Sequence, residues 1–414
     1  MRSLEHERHV LSCGATILVR PLSANDIVSV RAFVPMGALW ESDEEAGISR
    51  LLQNVLPRGT EARDAHAMQE ALADLGAEVN AGAGADLGSV SLKATARTWT
   101  EALDLYLETV TRPALDPDEI AIEVDQTLGA LEAREDNLMT RAMDLFRDRF
   151  YGEHPFHKPV IGRRTSVARI DRDRIAAAAE RFYRPVPPVV TAVGRVDPDR
   201  LLDRLEAAFG RDPLDPPPSR PSAPEPGSGT SRLSLDRDAA YLIHGHPAPS
   251  WTDPDYPVAR VIDAILGGSM ASRLFVELRE KRALAYQVST LYDDRLEGSY
   301  LAGYIVTDPG RVAEAAAGLE REFRRIVEEP VDEEEIEDAR QYLRGRYLIG
   351  AERNAAQASR LGSYEVYGLG QDFGERWLAA IEAVTPEAIR RTAARWIDTP
   401  ATRAIVVPNG TPEF

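Results

Sequence analysis

The second half of this chain repeats the first, and that restricts its fold more than any other feature. Pro113, ahead of the first long helical run, has a counterpart in Pro330, ahead of Val331-Asp-Glu-Glu-Glu-Ile-Glu-Asp-Ala-Arg. Tyr151-Gly152 has one in Tyr367-Gly368 at nearly the same interval. Each half closes with a helical run and a short apolar strand, at 189–193 in the first and Ala404-Ile-Val-Val in the second. A period this long marks a duplicated domain rather than a solenoid. Between the copies, Arg211-Asp-Pro-Leu-Asp-Pro-Pro-Pro-Ser-Arg-Pro-Ser-Ala-Pro-Glu-Pro reads as an extended proline-rich linker. The expected division is therefore 1–210, a linker at 211–232, and 233–414. In each half the order is strands, helix, helix, strands, several helices, strand. That order predicts an α+β fold of two duplicated domains, each a mainly antiparallel sheet with helices packed on one face.

Composition narrows the function classes. The 414 residues are 43% apolar and 28% charged, ordinary for a globular protein with a large core. A net charge of -18 repels nucleic acid and anionic membranes, so neither is expected as a partner. Cys13 is the one cysteine, which excludes an intrachain disulfide and a thiolate metal cluster. No apolar run is long enough to span a bilayer, and the first residues lack an apolar signal core. The expected location is cytoplasmic.

Along the first half, strands are predicted within 8–35. An acidic opening, Glu41-Ser-Asp-Glu-Glu, suits a helix N-terminus, and a helix follows at 47–56. Asp64 is placed to cap the helix at 64–75. Asp116, with Pro117 behind it, is placed to start the long helix. His154 and His157 share a loop without a carboxylate at useful spacing. His244 and His246 point to one face of a strand with no third ligand at hand, and are read as structural.

The segment that carries chemistry is Leu266-Gly-Gly-Ser-Met-Ala-Ser-Arg-Leu-Phe-Val-Glu-Leu-Arg-Glu-Lys-Arg-Ala-Leu-Ala-Tyr-Gln-Val-Ser-Thr. It reads as a glycine loop, an amphipathic helix, a break and a strand. Taken alone, Arg279 reads as a solvated residue in a charged run and Tyr286 as a half-buried aromatic. The guanidinium nevertheless forks several donors, and the phenol adds one more.

As a whole, Gly-Gly-x-Met-x-Ser-Arg-Leu, then Leu-Arg-Glu-Lys-Arg, then Leu-Ala-Tyr resembles the C-terminal-half signature of the pitrilysin/insulinase family of zinc peptidases, which includes the mitochondrial processing peptidase and its bacterial relatives. The resemblance implies that Arg279 and Tyr286 hydrogen-bond a substrate backbone beside a zinc site, with Ala283 where the family more often has glycine. It also implies two domains facing each other across a cavity. Family members carry an inverted zinc motif, His-x-x-Glu-His, in the first half. The frame Gly-x-x-[motif]-x-Leu-x-x-Gly-Thr runs here from Gly47 to Thr60 and places the motif at Arg50, Leu51, Leu52, Gln53 and Asn54. Both histidines are absent and the acid is an amide; arginine offers no lone pair to a metal. The third ligand of the family, a glutamate on a later helix, falls at Ala130, with Glu123 matching a supporting glutamate. The expectation is a chain that binds no zinc. Asn80 and Ala81 match a strand that pairs with extended substrate in catalytic relatives. Small residues there equally suit a strand packed tightly under a helix; both readings stand.

Together these readings predict the zinc-lacking subunit of a heterodimeric metallopeptidase. Its partners would be a peptide substrate and a homologous subunit that bears His-x-x-Glu-His and the zinc. A scaffold subunit of a larger complex and a stand-alone peptide-binding homodimer are the alternatives.

Overall fold

The computed structural model describes residues 6–183, 187–215 and 219–412, and the chain divides into two compact α+β units. The first contains Met1–Glu132, Lys158–Pro221 and Gly350–Asp372, and the second contains Ala133–His157, Ser222–Ile349 and Phe373–Phe414.

The first unit is built on six strands: β1 (Glu7–Val10), β2 (Thr16–Pro21), β3 (Ile27–Val34), β4 (Glu78–Ala83), β5 (Gly88–Thr95) and β6 (Val189–Gly194). Their order is β1-β2-β6-β3-β5-β4, antiparallel except for the β2–β6 pair. Alternation sorts the side chains. Val28, Val30, Ala32 and Val34 of β3 face the core together with Val90, Leu92 and Ala94 of β5. Against that face lie Ile48–Val55, Trp99–Thr111 and Pro198–Phe209, whose Leu51, Leu52, Leu103, Leu201 and Leu205 complete the same cluster. Asp64 caps its helix by accepting from the Ala67 amide at 2.8 Å, and Asp116 accepts from the Asp118 amide at 2.8 Å.

The second unit repeats the plan with β7 (Gly229–Leu235), β8 (Ala240–Pro247), β9 (Gln287–Asp293), β10 (Tyr300–Thr307) and β11 (Thr402–Pro408), ordered β7-β11-β8-β10-β9. Here too the one parallel pair is the late strand against the early one, β11 with β7. The Val312–Glu328 helix lies on this sheet as Trp99–Thr111 lies on the other.

Each sheet also has a helix on its opposite face, and that helix comes from the other half of the sequence. In the first unit it is Asn354–Val366, whose Ala358 and Leu361 pack with Leu18 and Val193. The fit is close: a side chain built on Gly362 would come within 2.0 Å of the Phe33 ring. In the second unit it is Leu138–Tyr151, whose Phe146 and Phe150 meet Tyr300 at ring distances of 4.9 and 5.4 Å. The exchange makes both units discontinuous along the chain. Residues 216–218 of the proline-rich segment lie outside the described residues. On either side of them, Leu214 donates to the Cys13 carbonyl and Arg220 pairs with Asp86 at 2.8 Å. None of the described helices is long and apolar enough to cross a membrane.

Candidate functional site

The Leu266–Thr290 segment is wound more widely than the α-helix its amphipathic pattern predicts. Two stretches, Ala264–Gly268 and Phe275–Lys281, are π-helical, a rare geometry that recurs at functional sites. The first lies against β9. Ser289 donates to the Gly267 carbonyl at 2.8 Å, and a Cβ on Gly267 would stand 2.4 Å from the Thr290 nitrogen. Glycine is therefore required there by close approach. Behind it Arg260 donates to Asp294 at 2.6 Å and the Tyr256 hydroxyl donates to the same carboxylate at 2.8 Å. Burial pushes the neighbouring Asp263 carboxyl up.

The second π-helix carries Arg279. It is anchored by Leu274 and Leu278, both fully buried, and by Arg273, which forms a two-bond fork to Glu335 at 2.8 and 2.6 Å. Arg279 itself is exposed. Its guanidinium lies over the Phe275 ring at 5.0 Å and makes no hydrogen bond or ion pair among the described residues. Tyr286 starts the approach to β9: its amide donates to the Val306 carbonyl at 2.9 Å, while its side chain is 65% exposed. Between the two, Ala283 stands in the left-handed region at φ +49°, the conformation for which glycine is the easier residue.

In the first unit the Ile48–Val55 helix starts under Glu41, whose carboxylate accepts from the amides of Gly47 and Ser49 at 2.9 and 2.8 Å. Burial pushes that carboxyl up, and the two amides pull it back. The sequence places Arg50, Gln53 and Asn54 here. Arg50 is half-buried. Gln53 is fully buried, and its Nε2 donates to the Tyr183 hydroxyl at 2.7 Å. Asn54 donates to Glu123 at 3.1 Å, and Arg58 donates to Glu123 and, at 2.8 Å, to Glu119. The carboxylates of the Pro117–Glu135 helix are thus engaged by an amide and a guanidinium. Ala130, further along the same helix, is exposed.

A zinc ion is the group the resemblance implies, and these residues do not fit it. Imidazole and carboxylate are missing at all four places, and no cluster of three potential ligands occurs among the described residues. The sequence does not mark Arg58, because a cation beside a glycine turn carries no pattern of its own.

Asn80 and Ala81 lie on β4, the edge strand of the first sheet. Asn80 is exposed and its carbonyl accepts from Ser91 at 3.2 Å; Ala81 packs partly against the core. An added side-chain carbon at Gly82 of the same strand would meet nothing within 4 Å. His244 and His246 are buried with their Nε2 atoms 3.1 Å apart, and Arg403 donates to His244 Nδ1 at 3.1 Å. Burial lowers both pKa values, that of His246 to about 4.

Two units of one plan, each a sheet with helices packed on it, define a duplicated α+β chain. Residues 17–164 match the model of the insulinase family, peptidase family M16, and residues 169–343 match that of the peptidase M16 inactive domain. The chain belongs to this family. An uncharacterized zinc protease of Mycobacterium tuberculosis is 28% identical over 99% of this chain and 94% of its own length. A second, from Streptomyces coelicolor, is 26% identical over 93% of this chain and 86% of its own. In fold, the chain is similar to a peptidase M16 inactive domain from Pseudomonas fluorescens (TM-score 0.91, 20% identity, 99% and 100% covered). It is also similar to a protease from Helicobacter pylori (TM-score 0.89, 19% identity, 98% and 100% covered).

Proposed function

We propose that this chain is the zinc-lacking subunit of a heterodimeric metallopeptidase. It binds extended peptide through Arg279 and Tyr286 beside the zinc of a homologous subunit that carries His-x-x-Glu-His. One observation carries the reading. Arg279 presents an exposed guanidinium without a hydrogen-bond or ionic partner among the described residues, on an element held by the half-buried Arg273–Glu335 fork, and the exposed Tyr286 phenol follows it across the turn at Ala283. Exposed donors on an anchored element suit a peptide carbonyl and the negative charge that grows on it during amide cleavage. The four zinc positions, holding Arg50, Gln53, Asn54 and Ala130, support assigning the metal to the partner. The edge position of β4, with Asn80 and Ala81, supports strand-to-strand pairing with extended peptide.

The test is reconstitution. The chain mixed with its zinc-bearing homologue should cleave unfolded protein in a zinc-dependent manner, and neither should do so alone. Arg279→Ala should lower kcat/KM of the mixture by roughly a hundredfold, the scale of one lost transition-state donor, and Tyr286→Phe by less. Unchanged activity in both variants defeats the assignment. A mixture that fails to associate favours the scaffold or homodimer.

A further inference from the structure

We propose that Arg311 is the positioning residue of the Arg279–Tyr286 element, an inference that rests on the peptide-binding reading above. The turn from Arg282 to Ala285 must end a π-helix, pass through a left-handed alanine and enter β9 within a few residues. Such an end exposes backbone carbonyls that the helix cannot satisfy. Here three consecutive carbonyls are taken by two side chains, one at the end of β10 and one in the turn that follows it. Arg311 Nη2 donates to the Arg282 carbonyl at 3.2 Å and Nη1 donates to the Ala283 carbonyl at 2.8 Å. The buried Thr307 hydroxyl donates to the Leu284 carbonyl at 2.7 Å.

Arg311 is itself fixed. Asp308 caps the Pro309–Arg311 turn by accepting from Gly310 at 2.8 Å. Glu314 accepts from the Arg311 Nε at 3.2 Å and Nη2 at 3.0 Å, which orients the guanidinium plane. A planar fork reaches two adjacent carbonyls at once; a lysine ammonium has no such fork. The residue it braces, Ala283 at φ +49°, is one that relaxes when unsupported. Arg279 and Tyr286 lie on either side of this turn. Their separation is therefore set by a side chain that touches neither.

The experiment uses the full chain and fluorescein-labelled casein as an unfolded-chain probe, read by anisotropy, with amide hydrogen exchange of Leu284 and Tyr286 in parallel. Arg311→Ala should weaken casein binding about tenfold and speed exchange at both amides, while the global unfolding midpoint barely moves. Adding Ala283→Gly to Arg311→Ala should restore binding and slow exchange, because glycine holds a positive φ without the side-chain clash. A residue serving overall stability alone would not be rescued at 283. Unchanged exchange in Arg311→Ala, or no rescue by Ala283→Gly, overturns the proposal. If casein binding survives the double variant Arg279→Ala/Tyr286→Phe, the peptide-binding reading fails instead. The exchange data then decide the role of Arg311 alone.

Discussion

His244 and His246 show how a single residue type changes meaning with its surroundings. In sequence they are two histidines on one strand face, a spacing that metal sites use. In the fold they are buried beside Phe323 at ring distances of 5.2 and 5.5 Å, with Arg403 donating to one and Thr399 next to the other. Burial favours the neutral form of both; neighbouring positive charge adds to it at His244, while a hydrogen bond with Thr399 opposes it at His246. Their folded pKa values lie below the unfolded value, so the unfolded chain binds more protons in acid. The stability they allow is complete above about pH 6.5 and is lost as pH falls toward 4. For His246 the loss at pH 4 is on the order of 3 kcal/mol. Urea midpoints taken between pH 7 and 4.5 should fall less steeply in His246→Gln than in the parent. Parallel slopes would show that the imidazole is not neutral in the folded state. Tyr286 illustrates the opposite outcome: read alone as half-buried, it is 65% exposed, so its hydroxyl is free to meet a ligand.

Among the elements, the Ile48–Val55 helix is the instructive one. Its Leu51 and Leu52 pack into the core, and its polar residues turn to a neighbouring helix. Arg58 and Asn54 tie this region to Glu119 and Glu123 of the Pro117–Glu135 helix. Glu123 is buried to 6% exposure, and a carboxylate so placed needs its cation. Arg58→Met should therefore cost about 2–4 kcal/mol in denaturant unfolding, scaled from the loss of one partner of a buried pair. Adding Glu119→Gln and Glu123→Gln should recover a large part of it. Equal losses in the single and triple variants would mean that Arg58 contributes packing rather than charge. The helix itself was legible from its acidic opening and apolar spacing. The new ion pairing was not, because Arg58 and Glu123 stand far apart in sequence and neither belongs to a motif.

For the whole molecule, the duplication is readable but the exchange of helices is not. Asn354–Val366 completes the first unit and Leu138–Tyr151 the second, each across the linker in sequence. Cutting the chain within 211–232 should leave each half with one sheet face bare, around Leu18 and Val193 in one and Tyr300 in the other. Each half alone should aggregate or unfold without cooperativity. Coexpressed halves should assemble and unfold in one transition. Two halves that each melt cooperatively alone would show the exchanged helices to be dispensable.

Local alternation, caps and proline placement determined which segments became strands and helices, because those signals act within a few residues of backbone. The residue types at 50, 53, 54 and 130 are likewise read without any structure: none is a histidine or a carboxylate. Tertiary structure decided the rest: which half supplies the helix for each sheet, which cation meets Glu123, and which guanidinium braces Ala283. Those are contacts between residues distant along the chain, and only packing brings them within hydrogen-bond reach.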